Sequence, residues 1–339
     1  MVPKRKLLYI GNNLGQHGAS PTMADWLPNA LETEGFKVLT ASNKRNKIIR
    51  LLDMVRTTYK NRNEVDFVII DTYSTWNFYY AVIIAKICRN YKLPYIPILH
   101  GGNLPHRLEK DKHLSQNLFN GAKTCVSPSL YLMNQFRDSG FTNLTYIPNT
   151  LDINNYPYLP RPQLAPKLLW VRSFAEIYNP LLAMEILEIL IKQGVNASLC
   201  MVGPDKDGSL IRCKQIAQEL NLPVTFTGIL SKKEWITLSK NYDLFINTTN
   251  FDNMPVSVME AMALGLPVIS TNVGGMPYMI KSGDNGILVP SKSPKAFVEA
   301  ILELLQNSEE SLRMAQAART EMEKLDWQKI KKLWIELLA

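Results

Sequence analysis

Twelve short apolar runs, arranged as two series of six, constrain this 339-residue chain more than any other feature. The first series is KLLYI (6–10), KVLTA (37–41), VDFVIID (65–71), YIPILH (95–100), KTCVS (123–127) and LTYIPN (144–149). The second is KLLWVRS (167–173), ASLCMVG (197–203), VTFTGI (224–229), DLFINTT (243–249), LPVISTN (266–272) and GILVP (286–290). Helical patterns fill the intervals, and such alternation predicts βαβ units with parallel sheets. The chain length suits two domains of ordinary size. Residues 148–166 contain Pro148, Pro157, Pro160, Pro162 and Pro166 with little periodicity, and read as the linker between a domain at 1–150 and another at 151–325. Ser20-Pro21 reads as an N-cap and first-turn proline opening a helix that Gly35 ends. Asp326 to Leu338 places Trp327, Ile330, Leu333, Trp334 and Leu337 at helical spacing.

Composition excludes several classes. With 46% apolar and 20% charged residues the chain is ordinary globular protein without low-complexity tracts. The longest apolar stretch, Phe78 to Ala85, is far short of the roughly 20 residues a membrane span needs. MVPKRKLLYIG at the start has too short an apolar segment for a signal peptide. Cys88, Cys125, Cys200 and Cys213 lack CxxC spacing and are expected as reduced, mostly buried thiols of a cytoplasmic protein. His17, His100, His106 and His113 lack metal-ligand spacing and no D-x-D pair occurs, so neither metal nor other cofactor is expected.

The net charge of +8 lies wholly in the first half: residues 1–160 hold 19 Lys and Arg against 11 acids, and the remainder 19 against 19. Ser42 to Asn63 alone carries seven basic residues and one acid, with Ile48, Ile49, Leu51, Leu52 and Val55 as an apolar side. Two readings stay open: a solvated basic helix packed on a sheet, or a helix that meets anionic membrane lipid or a phosphate-bearing acceptor. Nucleic acid is not expected, because no recognition motif or basic–aromatic interleaving is present.

Ligands bind beyond the carboxyl ends of parallel strands, and the polar clusters here directly follow apolar runs. These clusters are Gly11-Asn12-Asn13-Leu14-Gly15, His100-Gly101-Gly102-Asn103, Trp170-Val171-Arg172-Ser173 and Thr227-Gly228-Ile229. The glycines after His100 suit close approach of a ligand to the backbone. Asn247 to Pro277 is the most specific stretch: a strand, a polar loop, a helix, a second strand and a glycine turn. Pro255 suits the first helical turn, and Gly265 the position just past the helix end. Asp252 and Glu260 stand eight residues apart, about 80° around a helix, which suits two parts of one elongated ligand better than a shared face. The helix start between them, Asn253-Met254-Pro255-Val256, offers free N–H groups to phosphate.

Asp252, Pro255, Glu260-Ala261, Gly265-Leu266-Pro267-Val268 and Asn272-Val273-Gly274-Gly275 resemble the E-x7-E region of glycosyltransferase family 4. That resemblance implies a GT-B architecture, two Rossmann-like domains with parallel sheets facing a cleft, the last helix packing back on the first domain. It implies a retaining, metal-independent transfer from a nucleoside-diphosphate sugar to a glycan or lipid-linked acceptor. By its implication Arg172 binds the diphosphate, Asp252 the sugar hydroxyls and Glu260 the ribose. His100 lies beside the sugar, the Gly11–Gly15 turn meets phosphate and sugar, and backbone near Gly228 and Ile229 pairs with the base. Two departures stand out: Asp252 replaces the usual Glu, and Ile177-Tyr178-Asn179 replaces a usual lysine–glycine pair. They leave open a catalytically impaired relative that binds nucleotide-sugar or a partner enzyme. Within enzymes, epimerisation or hydrolysis also stays open.

Overall fold

The computed structural model describes residues 5–14 and 22–339. All twelve apolar runs contain strands, shorter than the runs by up to a few residues. The first sheet holds β1 (Lys6–Ile10), β2 (Lys37–Ala41), β3 (Phe67–Thr72), β4 (Tyr95–Leu99), β5 (Cys125–Ser127) and β6 (Leu144–Tyr146). The second holds β7 (Lys167–Val171), β8 (Ser198–Val202), β9 (Val224–Gly228), β10 (Leu244–Asn247), β11 (Val268–Thr271) and β12 (Ile287–Val289). Every strand pairing is parallel. Successive residues such as Leu7 and Leu8 have no exposed area, because helices cover both faces of a sheet built by crossovers.

The chain forms two compact units, Met1–Pro148 with Ile330–Ala339, and Asn149–Lys329. In the first, strand order is β2-β1-β3-β4-β5-β6, reversing between β1 and β3. In the second it is β12-β11-β10-β7-β8-β9, reversing between β7 and β10. A crevice opens at such a reversal, because the loops on either side leave toward opposite faces.

The terminal helix Trp327–Leu338 buries Trp327, Ile330, Trp334 and Leu338. Its Lys331 pairs with Glu34 at 2.9 Å, within the first unit. Ser20-Pro21 and Gly15 lie outside the described residues. The described helix Met23–Thr33 is capped by Thr22 and Asp25, and Gly35 follows it at φ +97°. The four cysteines are free and buried, and burial pushes the Cys88 and Cys213 thiols up to about 12, which leaves them unreactive. Among the described residues, no helix is long and apolar enough to cross a membrane.

Two segments carry detail that the sequence did not announce. The proline-rich linker is firmly held. Arg161, 6% exposed, donates to the carbonyls of Leu159, Ser239, Tyr242, Leu264 and Gly265, binding the segment to the second unit. The basic helix Lys47–Asn61 does not bury its whole apolar side: Arg50, Met54 and Thr58 face inward, while Ile48, Ile49 and Leu52 are 71%, 53% and 62% exposed. Arg50 is drawn in by carbonyls of Lys44 and Arg45 and by Asn12 Oδ1, rotating the aliphatic residues outward.

The helix Val256–Ala263 ends in a Schellman arrangement, with Gly265 N donating to Met262 O and Leu266 N to Ala261 O. Gly265 stands at φ +77°, and a Cβ there would lie 2.7 Å from the Tyr158 ring. Gly265→Ala is therefore expected to lower unfolding free energy by about 1–3 kcal/mol, measured by chemical denaturation, from backbone strain and the clash together.

Candidate active site

In the second unit the chemistry gathers at the β7/β10 reversal. Arg172 follows β7 directly, and its backbone is pinned there: its N–H donates to Val202 O at 3.0 Å. Gly203 stands at φ +146°, and a Cβ on it would fall 1.8 Å from Arg172 O. Asp252 lies in the loop after β10, and its carboxylate forms an ion pair with the Arg172 guanidinium. Both side chains are mostly but not wholly buried, at 18% and 14% exposure. The Tyr178 ring lies 4.2 Å from the guanidinium carbon, a cation–π contact on the arginine. Burial lowers the Arg172 pKa and Tyr178 opposes the shift; an arginine begins so high that it stays charged.

Glycines fix the Asp252 loop from behind. Gly275 N donates to Asp252 O at 2.9 Å. A Cβ on Gly275 would fall 1.7 Å from Asn253 O, and one on Gly274, at φ +53°, 2.1 Å from Asp252 O. Asn253 is 6% exposed, and Met254 O accepts from Asn149 Nδ2 at 3.1 Å. Pro255 is the N-cap of the helix Val256–Ala263, one position before the first turn where the sequence suggested it. Its extended ψ of 122° excludes it from the helix proper. Val256 is 38% exposed at the helix start.

Glu260, one turn into that helix, is 2% exposed. Its Oε1 accepts from Tyr156 Oη at 2.7 Å and pairs with Lys232 Nζ. Burial pushes the Tyr156 hydroxyl up to about 12, so it remains a donor to the carboxylate. Lys232 opens a helix whose Ser231 and Glu234 form a capping box. It follows the β9 end, where Gly228 takes φ +73° and Ile229 is 59% exposed.

The lysine–glycine pair of the family pattern has a different filling here. Asn179 adopts the left-handed conformation at φ +46°, which asparagine tolerates better than most residues, ahead of the helix Pro180–Lys192. The turn is tied to the segment after β10: Thr248 Oγ1 donates to Tyr178 O, Asn250 N to Ile177 O and Asn250 Nδ2 to Glu176 O.

In the first unit, the β1/β3 reversal gathers Gly11, Asp71 and, from the end of β4, His100. Asp71 Oδ1 accepts from Tyr9 Oη at 2.6 Å and meets His100 Nε2 at 2.9 Å. Gly11 leaves space that the Asp71 carboxylate and Ala24 take up, since its Cβ would lie 2.5 Å from Asp71 Oδ2. Asn12 holds Arg50, and Asn13 N donates to Ser42 O. Gly101 turns the chain at φ +83°. Among the described residues, no cluster of three or more His, Cys, Asp or Glu side chains is suited to a metal ion.

Sequence reasoning missed Tyr156, Tyr178, Lys232 and Asp71. Asp71 had a readable signal, an acid at the end of the otherwise apolar run VDFVIID. Tyr156 and Lys232 reach Glu260 from 104 and 28 residues away in the chain, and nothing local announces either.

Residues 159–321 match the model of the family described as Glycosyl transferases group 1. This part of the chain is therefore similar to a group 1 glycosyltransferase domain. The same half resembles spore coat protein SA of Bacillus subtilis (strain 168), with 27% identity over 172 residues, 48% of this chain and 46% of that protein. The chain thus spans about half the length of that curated relative. Over 99% of its length it matches the sucrose-phosphate synthase structure from Thermosynechococcus elongatus, covering 100% of that chain, with TM-score 0.81 and 16% identity. The structure of Anabaena HepE in complex with UDP and glucose matches with TM-score 0.79 and 17% identity, covering 98% of this chain and 99% of that one. These likenesses show the fold, the GT-B pair of Rossmann-like domains.

Within the second unit, Tyr156→Phe removes a donor from a buried carboxylate. Hydrogen bonds to charged groups contribute about 1.5–3 kcal/mol, and a loss of that size is expected in urea denaturation. Stability unchanged within error would mean that Lys232 alone satisfies Glu260.

Proposed function

We propose that the chain is a retaining, metal-independent glycosyltransferase that moves a sugar from a nucleoside-diphosphate sugar to an acceptor hydroxyl. The observation that carries this reading is the Arg172–Asp252 pair at the β7/β10 reversal of a group 1 glycosyltransferase domain, with buried Glu260 on the following helix. The UDP, UDP-glucose and glucose bound by HepE support a nucleotide-sugar donor.

In this scheme Arg172 turns its paired donors to the diphosphate, and the helix start at Val256 adds backbone N–H groups and a positive dipole end. Asp252 accepts from sugar hydroxyls and Glu260 from ribose hydroxyls. His100 lies beside the sugar, and backbone around Gly228 and Ile229 meets the base. The bond from the anomeric carbon to the diphosphate breaks as the acceptor oxygen bonds on the same face. The acceptor proton passes to the departing diphosphate, so no side-chain nucleophile is required. Preorganised cation and dipole meet the leaving charge, the role a metal has in other transferases. The family match weighs against the catalytically impaired alternative, and Tyr178 keeps Arg172 in place without the usual lysine.

Glu260→Gln is expected to weaken donor binding at least several-fold, because a neutral amide accepts ribose hydroxyls less well than a carboxylate. A thermal-shift screen with UDP-, GDP- and ADP-sugars identifies the donor, and calorimetry then measures the variant. An unchanged dissociation constant removes Glu260 from the site. Product analysis without acceptor separates transfer from epimerisation and hydrolysis.

The acceptor belongs with the basic first unit, as a glycan or lipid-linked molecule on the cytoplasmic face of an anionic membrane. Exposed Ile48, Ile49 and Leu52 directly follow Lys44, Arg45 and Lys47, joining apolar insertion to attraction for anionic headgroups. Basic residues near such a surface each contribute about 1 kcal/mol, screened by salt. Wild-type protein is expected to co-sediment with anionic but not neutral vesicles, less so as salt rises. Changing Ile48, Ile49 and Leu52 together to Ser should abolish pelleting although the charge is unchanged. Pelleting that survives the triple change would reduce attachment to charge alone.

A further inference from the structure

Asp71 does more at the β1/β3 reversal than fill space beside Gly11. Its side chain is 2% exposed, and Oδ2 has no hydrogen-bond partner. Oδ1 therefore carries both of the carboxylate's bonds, one from Tyr9 Oη and one with His100 Nε2. Burial, with Asp71 adding to it, holds the Tyr9 hydroxyl well above its usual range, so Tyr9 is a donor. Oδ1 is then an acceptor, and the hydrogen in the 2.9 Å contact belongs to His100 Nε2.

The ring is held in other ways as well. Tyr73 stacks on it at 5.0 Å with 23° between planes, and His100 N donates to Thr72 O at 2.8 Å. Gly101 at φ +83° turns the chain away immediately afterwards. Among the described residues nothing bonds Nδ1, and the imidazole keeps 11% of its surface exposed.

We infer that Asp71 is a positioning residue: it fixes His100 as the Nε2–H tautomer and leaves Nδ1 as an acceptor for a hydroxyl of the bound sugar. The sugar in that statement rests on the function proposed above; the tautomer does not. With Nε2 committed to Asp71, the one remaining lone pair of the ring, on Nδ1, is left for a ligand. A hydroxyl is the ligand group that matches it, because an anionic phosphate oxygen would be repelled by that lone pair.

The test reads the ring directly. In protein labelled with 15N-histidine and free of donor, long-range proton–nitrogen spectra distinguish the two neutral tautomers, and His100→Asn assigns the signal. Wild type is expected as Nε2–H. Asp71→Leu, similar in volume but without an acceptor, should convert His100 to a tautomer mixture. Asp71→Asn retains an oxygen at Oδ1 and should keep most of the Nε2–H form. Asp71→Leu should raise the dissociation constant of the nucleotide-sugar donor several-fold, as loss of an oriented hydrogen-bond acceptor for the sugar does, and Asp71→Asn should recover part of it. The dissociation constant of the nucleoside diphosphate alone, which lacks the sugar, should stay within about twofold. An Nδ1–H ring in wild type, or an unchanged tautomer in folded Asp71→Leu, overturns the inference. If Asp71→Leu fails to fold, the wild-type and Asp71→Asn spectra still decide, since an Nδ1–H signal in either refutes it. Absence of transfer by wild type with every donor would instead count against the proposed function, leaving the ring spectra interpretable.

Discussion

The second unit depends on one backbone contact, the hydrogen bond from Gly275 to the carbonyl of Asp252 with no room for a side chain between the loops. A glycine pair after β11 thereby fixes the loop after β10. Another glycine after β8, Gly203, presses on the carbonyl of Arg172 after β7. The acid and the base of the central ion pair are thus each held from behind by a chain segment that tolerates only hydrogen. Side chains on such supports need little further ordering when a ligand arrives, which favours affinity by lowering the entropy lost on binding.

Buried charge sets the second constraint. Glu260 and Asp71 are acids taken almost wholly out of water, a cost met only by donors and cations at close range. Glu260 has a tyrosine and a lysine, and Asp71 a tyrosine and a histidine. The two units, though different in strand order, use the same device at the carboxyl end of a sheet: a tyrosine hydroxyl satisfies the acid on the protein side. The remaining partner, Lys232 or His100, is the more exposed member of each pair. Asp252 differs, since its partner Arg172 is itself the cation a phosphate would take.

The architecture was legible because buried parallel strands are almost continuous apolar runs, and glycine and proline punctuate their ends. Strand ends were less so; Thr248 and Thr249 continue the apolar run of β10 but leave the sheet to hold the Ile177–Asn179 turn. Which residues of the basic helix face inward was not legible, for a physical reason. Periodicity locates an apolar stripe, but an arginine able to reach three oxygens can displace aliphatic residues from the interior. The proline count suggested a tether, whereas Arg161 supplies five hydrogen bonds to carbonyls and makes the segment part of a core. Pairings such as Tyr156 with Glu260 join residues far apart in sequence, and no local pattern encodes them.

Where the family pattern has a lysine–glycine pair, this chain surrounds its arginine with different parts. A lysine there would add a mobile positive charge beside Arg172; the tyrosine adds a fixed aromatic face on it instead. The face attracts the guanidinium, and the tyrosine side chain further favours its charged form. Asn179 meanwhile takes the left-handed turn that glycine would otherwise supply, and Thr248 and Asn250 bind that turn to the β10 loop. Substituting at one of these positions alone would leave the arginine unsupported or the turn strained. Ile177-Tyr178-Asn179 is therefore best understood as one structural unit, which lays a tyrosine face on the Arg172 guanidinium and ties its own turn to the β10 loop.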